Sequence, residues 1–100
     1  MDSNNMEITQ NCIEALRAVL YKHYPASMFS FDGYAEDALC MAKEDGMWHV
    51  YQMERGIRKQ EEIVPTVLDA CTVMIRKVVT KPADINNLVY EFLSEYKKTT

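Results

Sequence analysis

The sequence predicts an α+β fold: an N-terminal helix, a three-stranded antiparallel β-meander and two C-terminal helices. Apolar residues recur at three- and four-residue spacing in three separate segments, the period of a helix with one buried stripe. Between the first and second of these lie three strand-type runs, at 38–44, 47–53 and 57–63, joined by turns that carry Gly46 and Gly56. Strands that run together, instead of alternating with helices, pair antiparallel and are covered by helices on one face. One hundred residues make one domain, 1–100.

The first helix is expected over 6–24. Ile8, Cys12, Ile13, Leu16, Val19 and Leu20 form its stripe, Glu14, Arg17 and Lys22 lie opposite, Asn4 or Asn5 caps it, and Pro25 ends it. Residues 26–37 allow two readings. Phe29 and Phe31 alternate with polar residues before Asp32-Gly33, which suits a short extended piece and a turn. A loop with one helical turn at 34–37 fits as well. Exposed aromatics anchor protein interfaces, whereas buried ones lid a core.

Asp45-Gly46 suits a type I′ turn, whose twist matches the strands it joins. A two-residue loop places Glu44 opposite Met47, Met41 opposite Val50 and Leu39 opposite Gln52. Leu39, Met41, Trp48 and Val50 then share the core face, and Cys40, Ala42, His49, Tyr51 and Met53 the other. Gly56 is expected at positive φ, in a type II-like turn or beside a bulge. The third strand, Ile57 to Ile63, is charged throughout, as suits a blunted edge or a charge-selective recognition edge.

The second helix is expected over 66–80. Thr66 and Asp69 have capping-box spacing, and Val67, Leu68, Cys71, Met74, Ile75 and Val78 form its apolar face. Pro82 suits the first position of a third helix to about residue 97. Ile85, Leu88, Val89, Phe92, Leu93 and Tyr96 form its stripe.

Composition narrows the function. No apolar run approaches the roughly 20 residues that span a bilayer. Residues 1–5 are polar with an acid, unlike a basic n-region leading into an apolar stretch, so no signal peptide is expected and the expected location is cytoplasmic. Cys12, Cys40 and Cys71 are odd in number, far apart and never in Cys-x-x-Cys. With only His23 and His49 to join them, they predict three buried thiols, not a disulfide framework or a metal site. Three glycines in three turns leave no phosphate-cradling loop, and no cofactor is expected. Cys40 and His49 share a hairpin face, but neither an orienting third group nor an oxyanion hole accompanies them. The chain is expected to be a binder, not an enzyme.

The net charge of −4 is unevenly spread. Residues 31–70 hold nine acidic and four basic side chains, a balance of −5, whereas residues 71–100 balance to +2. Such a segment repels nucleic acid and steers in a basic protein.

The stretch Ala38-Leu39-Cys40-Met41-Ala42-Lys43-Glu44-Asp45-Gly46-Met47-Trp48-His49-Val50-Tyr51-Gln52-Met53-Glu54-Arg55-Gly56, followed by Asp69-Ala70-Cys71 on a helix, resembles a family of small immunity proteins. These belong to bacterial polymorphic-toxin and contact-dependent growth-inhibition systems. The shared features are a Cys-apolar strand, a Lys-Glu-Asp-Gly turn, Trp-x-Val-Tyr, an acid before Arg-Gly and an Ala-Cys helix. The likeness covers roughly residues 36–76; the charged third strand departs from it, and the last helix lies outside it. It implies a cytoplasmic protein that binds one cognate toxin domain and occludes its active site. A toxin that degrades nucleic acid, and so carries a basic surface, would match the acidic segment. The candidate partner-binding residues are Asp32, Glu36, Asp37, Glu44, Asp45, Tyr51, Glu54, Arg55, Glu61 and Glu62. The alternative is a non-enzymatic regulatory or structural module that forms a homodimer through a sheet edge or the last helix.

Overall fold

The computed structural model describes residues 2–99, with side chains for residues 6–98. The elements are α1 (Asp2–His23), β1 (Phe29–Ser30), β2 (Leu39–Glu44), β3 (Met47–Glu54), β4 (Ile57–Val64), α2 (Val67–Val78) and α3 (Pro82–Thr99). The α+β class and the order of helices and meander are as the sequence predicts. The sheet has four strands in the order β1-β2-β3-β4, because Phe29–Ser30 adds a short parallel strand beside Leu39 and Cys40. The extended reading of residues 26–37 therefore holds at its start, after a single 3₁₀ turn at Ala26–Met28. Because α1 already runs from Asp2, Asn4 and Asn5 lie within the helix and not before it; their side chains lie outside the described residues.

The β2–β3 register pairs Glu44 with Met47, Met41 with Val50 and Leu39 with Gln52, as a two-residue turn requires. Asp45 and Gly46 both have positive φ, at 53° and 79°, the type I′ signature. The second turn corrects the expectation of a type II-like geometry. Arg55 joins Gly56 at positive φ, at 52° and 76°, so this turn too has both central residues left-handed. Between Val50 and Gln52 the β3–β4 ladder shifts, and Gln60 adopts φ 54°. This β-bulge puts an extra residue of β4 opposite Tyr51 and twists the edge, which disfavours strand addition by another chain.

Three helices cover one face of the sheet. α2 lies directly on β2, β3 and β4, while α1 packs on α3 and α2. Cys12, Leu16, Val19 and Leu20 from α1 meet Cys71, Met74 and Ile75 from α2 and Leu88 and Phe92 from α3, with Leu39, Met41, Trp48 and Val50 from the sheet. Thr66 Oγ1 accepts the Asp69 amide at 3.1 Å, capping α2 as expected. Ile8, Leu68 and Leu93, assigned to helix stripes by spacing, are instead exposed. They sit at the margins of their stripes, where a helix on a small core runs out of neighbours.

The expectation that only one sheet face is covered is corrected. Cys40, Tyr51 and Met53 are almost fully buried on the opposite face, in a second cluster with Ala38. Ala35, in the segment that leads into β2, packs against this cluster, and the Arg58 guanidinium lies over the Tyr51 ring. The Gly33 amide donates to the Met41 carbonyl at 3.2 Å, and the Met53 amide to the Ala38 carbonyl at 2.9 Å. Phe29 and Phe31 stack on each other within the main core, so they lid it, whereas Tyr34 is 62% exposed.

Candidate functional site

The structure divides the ten candidate residues among several places. Glu44 and Glu61 belong to an ionic network on the loop-covered face. Arg58, on β4, donates Nη1 to Glu44 Oε1 at 3.0 Å and to Glu61 Oε2 at 2.8 Å, and Nη2 to Glu44 Oε2. Its guanidinium lies 4.1 Å from the Tyr51 ring centroid, within cation–π range. His49 Nδ1 lies 2.7 Å from Glu61 Oε2, and since a carboxylate only accepts, the ring nitrogen donates. Tyr51 is thus 1% exposed and lies beneath Arg58. This corrects its assignment to a partner-binding surface.

Glu44, His49 and Glu61 bring their ligating atoms within 4.8 Å of one another, the one such cluster among the described residues. Arg58 already supplies the positive charge and the hydrogen bonds that these carboxylates need, so the cluster is neutralised from within. The Arg58 contact holds the Glu44 carboxyl below the usual range. Glu61 is lowered first by the His49 hydrogen bond and then by Arg58, and Arg58 itself is raised by the same contacts. Carboxyls depressed in the folded state contribute stability above their unfolded pKa of about 4.3 and lose it as pH falls through the folded value. Arg58→Gln is therefore expected to raise the midpoint of the Glu44 carboxyl titration followed by NMR. The fall in stability below about pH 4.3 should become shallower; an unmoved midpoint would show that the pair does not persist in solution.

Two more candidates are compensated elsewhere. Glu62 reaches across to α2, where Arg76 Nη2 and Lys77 Nζ lie 2.6 and 3.2 Å from its oxygens. Lys77 also donates to the Gln60 carbonyl, sealing the bulge. Glu54 pairs with Lys59 at 2.9 Å. The single acidic flank expected from the −5 balance is thus partly neutralised by the chain's own cations, and its acids face in different directions.

What remains is the loop. Asp32, Glu36 and Asp37 are exposed, with Tyr34 among them, and no cation lies within ion-pair distance of any of the three among the described residues. Asp45 has no such partner either, but stands at the far turn of the sheet. The loop is anchored. Both Glu36 oxygens accept the Gly56 amide at 3.1 Å, and the Tyr34 hydroxyl donates to Glu36. The Tyr34 contact first, and then the Gly56 amide, depress the Glu36 pKa. Ser30 Oγ lies 3.2 Å from Asp32 Oδ1 and donates to the Gly33 carbonyl at 2.7 Å. Cys40 Sγ, 3.5 Å from the Ala35 carbonyl, supports the loop from beneath. The β3–β4 turn with Arg55 adjoins this surface through the Glu36–Gly56 contact.

Sequence reasoning missed Arg58 as the organiser of the network and Tyr34 as the exposed aromatic of the loop. Arg58 carried a signal, as a cation on an acidic strand; its alignment with Glu44 depends on the hairpin geometry. The three thiols are buried, and burial raises the pKa of each, so they stay protonated at neutral pH. The Cys40 thiol is held by backbone carbonyls and the His49 Nδ1 atom by Glu61.

No family model matches this chain, and no curated protein or solved structure matches it. No helix among the described residues is long and apolar enough to cross a membrane.

Proposed function

We infer that the chain is an immunity protein, a cytoplasmic, non-enzymatic binder that neutralises one cognate toxin domain by occluding its active site. The observation that carries this reading is the anchored loop 32–37. It presents three carboxylates, without cationic partners among the described residues, around an exposed tyrosine. A loop held in place before binding loses little conformational freedom on docking. Tyrosine is a preferred interface anchor, and surrounding acids speed encounter with a basic partner. The resemblance of residues 36–76 to immunity proteins supports the same reading, since this span includes Glu36, Asp37 and the turn that anchors them. A basic partner fits a toxin that degrades nucleic acid, because such an enzyme must bind phosphates.

The test is co-expression with the protein encoded immediately upstream of this chain's gene. The expected result is a one-to-one complex tighter than micromolar that abolishes the toxin's activity; no complex at that affinity would refute the proposal. One observation favours self-association instead: although the bulge disfavours strand addition along β4, its Ile57 and Ile63 side chains are more than half exposed. A stable homodimer in sedimentation, with no heterologous complex, would favour that reading.

A further inference from the structure

A second surface lies on the other face of the sheet. α2 is the helix seated on the strands, and α1 packs on α2 and α3, beside the β2–β3 hairpin whose Lys43 and Trp48 share a groove with it. The groove measures about 480 Å³, within the usual range for small-ligand sites. Met6, Ile13 and Trp48 give it a mainly apolar lining, to which Arg17 and Lys43 add two cations. Met6, Ile13 and Arg17 fall on one face of α1, and Lys43 is the direct cross-strand partner of Trp48.

The two cations of the lining are available. Neither Arg17 nor Lys43 has a carboxylate within ion-pair distance among the described residues. The Arg17 guanidinium lies over the Phe31 ring, 5.3 Å from its centroid, and no acid among the described residues takes its hydrogen bonds. The one carboxylate in the lining, Glu14, accepts from Gln10 Nε2 at 3.3 Å. With two cations against one carboxylate, the lining is net positive, opposite to the acidic loop, so a basic partner is not its ligand.

We propose that this groove binds a small free amphipathic anion, its hydrocarbon portion on Trp48 and Ile13 and its carboxylate between Arg17 and Lys43. A mainly apolar lining whose two cations carry no ion pair among the described residues, against the single carboxylate of Glu14, matches a medium-chain acyl carboxylate in both polarity and charge. This site does not rest on the immunity reading and uses none of the loop residues.

Trp48, the only tryptophan, reports on the groove directly. Decanoate, titrated below its micellar concentration into the full-length protein, is expected to change Trp48 emission saturably at one-to-one stoichiometry. Amide shifts should concentrate in residues 6–17 and 43–48. Lys43→Gln, at an exposed position, should weaken binding roughly tenfold, as loss of one charge-assisted contact does. Arg17→Gln should do the same, provided its thermal unfolding matches the parent. Decyltrimethylammonium, with the same chain length and the opposite charge, should not compete. Equal binding of the two amphiphiles, a response that never saturates, or a Lys43→Gln protein that binds decanoate as tightly as the parent would overturn the proposal.

Discussion

Replacing Tyr51 by alanine is expected to cost about 3–5 kcal/mol of stability, the range for truncating a buried aromatic. The ring fills the second core cluster with Cys40 and Met53, and Arg58 lies on its outer face. Truncation would leave a cavity beneath the guanidinium and remove the surface on which Arg58 is held between Glu44 and Glu61. Tyr51→Phe keeps the ring and its contacts and should cost under about 1.5 kcal/mol, as volume-conserving changes do. Urea denaturation followed by circular dichroism measures both. A Tyr51→Ala protein as stable as the parent would mean that the ring lies outside the core, on a surface a partner could reach.

Trp48→Ala is expected to cost about 3–5 kcal/mol as well, through the main core. The indole is 7% exposed and packs on the helix-covered face, with its backbone between those of Lys43 and Val64. Circular dichroism is again the probe, because the substitution removes the only tryptophan. The two residues lie on opposite faces of the same strand, so together they test whether both faces are packed. Losses of this size add up to much of the roughly 5–15 kcal/mol by which small domains are stable, and the double variant should be largely unfolded at 25 °C. An unchanged unfolding midpoint for Trp48→Ala would place the indole in solvent.

The helices, the hairpin register and the core face of the sheet were legible because each depends on local spacing. Asp45-Gly46 sets its register by turn chemistry, and the alternation of Leu39, Met41, Trp48 and Val50 follows from it. Burial of Tyr51 was not legible. A strand face is buried by whatever folds over it, and here that is the Arg58 side chain over the ring together with an irregular segment anchored by Glu36 on the Gly56 amide, 20 residues away, whose Ala35 packs on the same cluster. The bulge at Gln60 was equally hidden, since nothing in Arg-Lys-Gln-Glu-Glu announces a residue at φ 54°. That bulge helps to decide which acids meet which cations.

The same long-range geometry separates the acids by role. Glu44, Glu54, Glu61 and Glu62 are occupied by Arg58, Lys59, Arg76 and Lys77, and reversing Glu61 and Glu62 should act on those contacts before it acts on a partner. Asp32 and Asp37 carry no ion pair among the described residues, and neither accepts the Gly56 amide, so they can be neutralised while the Glu36 clamp is kept.

Association kinetics of the Asp32→Asn/Asp37→Asn variant with the cognate toxin domain, measured across a salt series beside a Glu62→Gln control, test the docking loop most directly. The expected result is association slowed about tenfold at low salt with a flatter salt dependence, while the control keeps the parental rate. An unchanged rate for the loop variant, with slowed association for Glu62→Gln, would move the interface to the β4 edge and contradict the account.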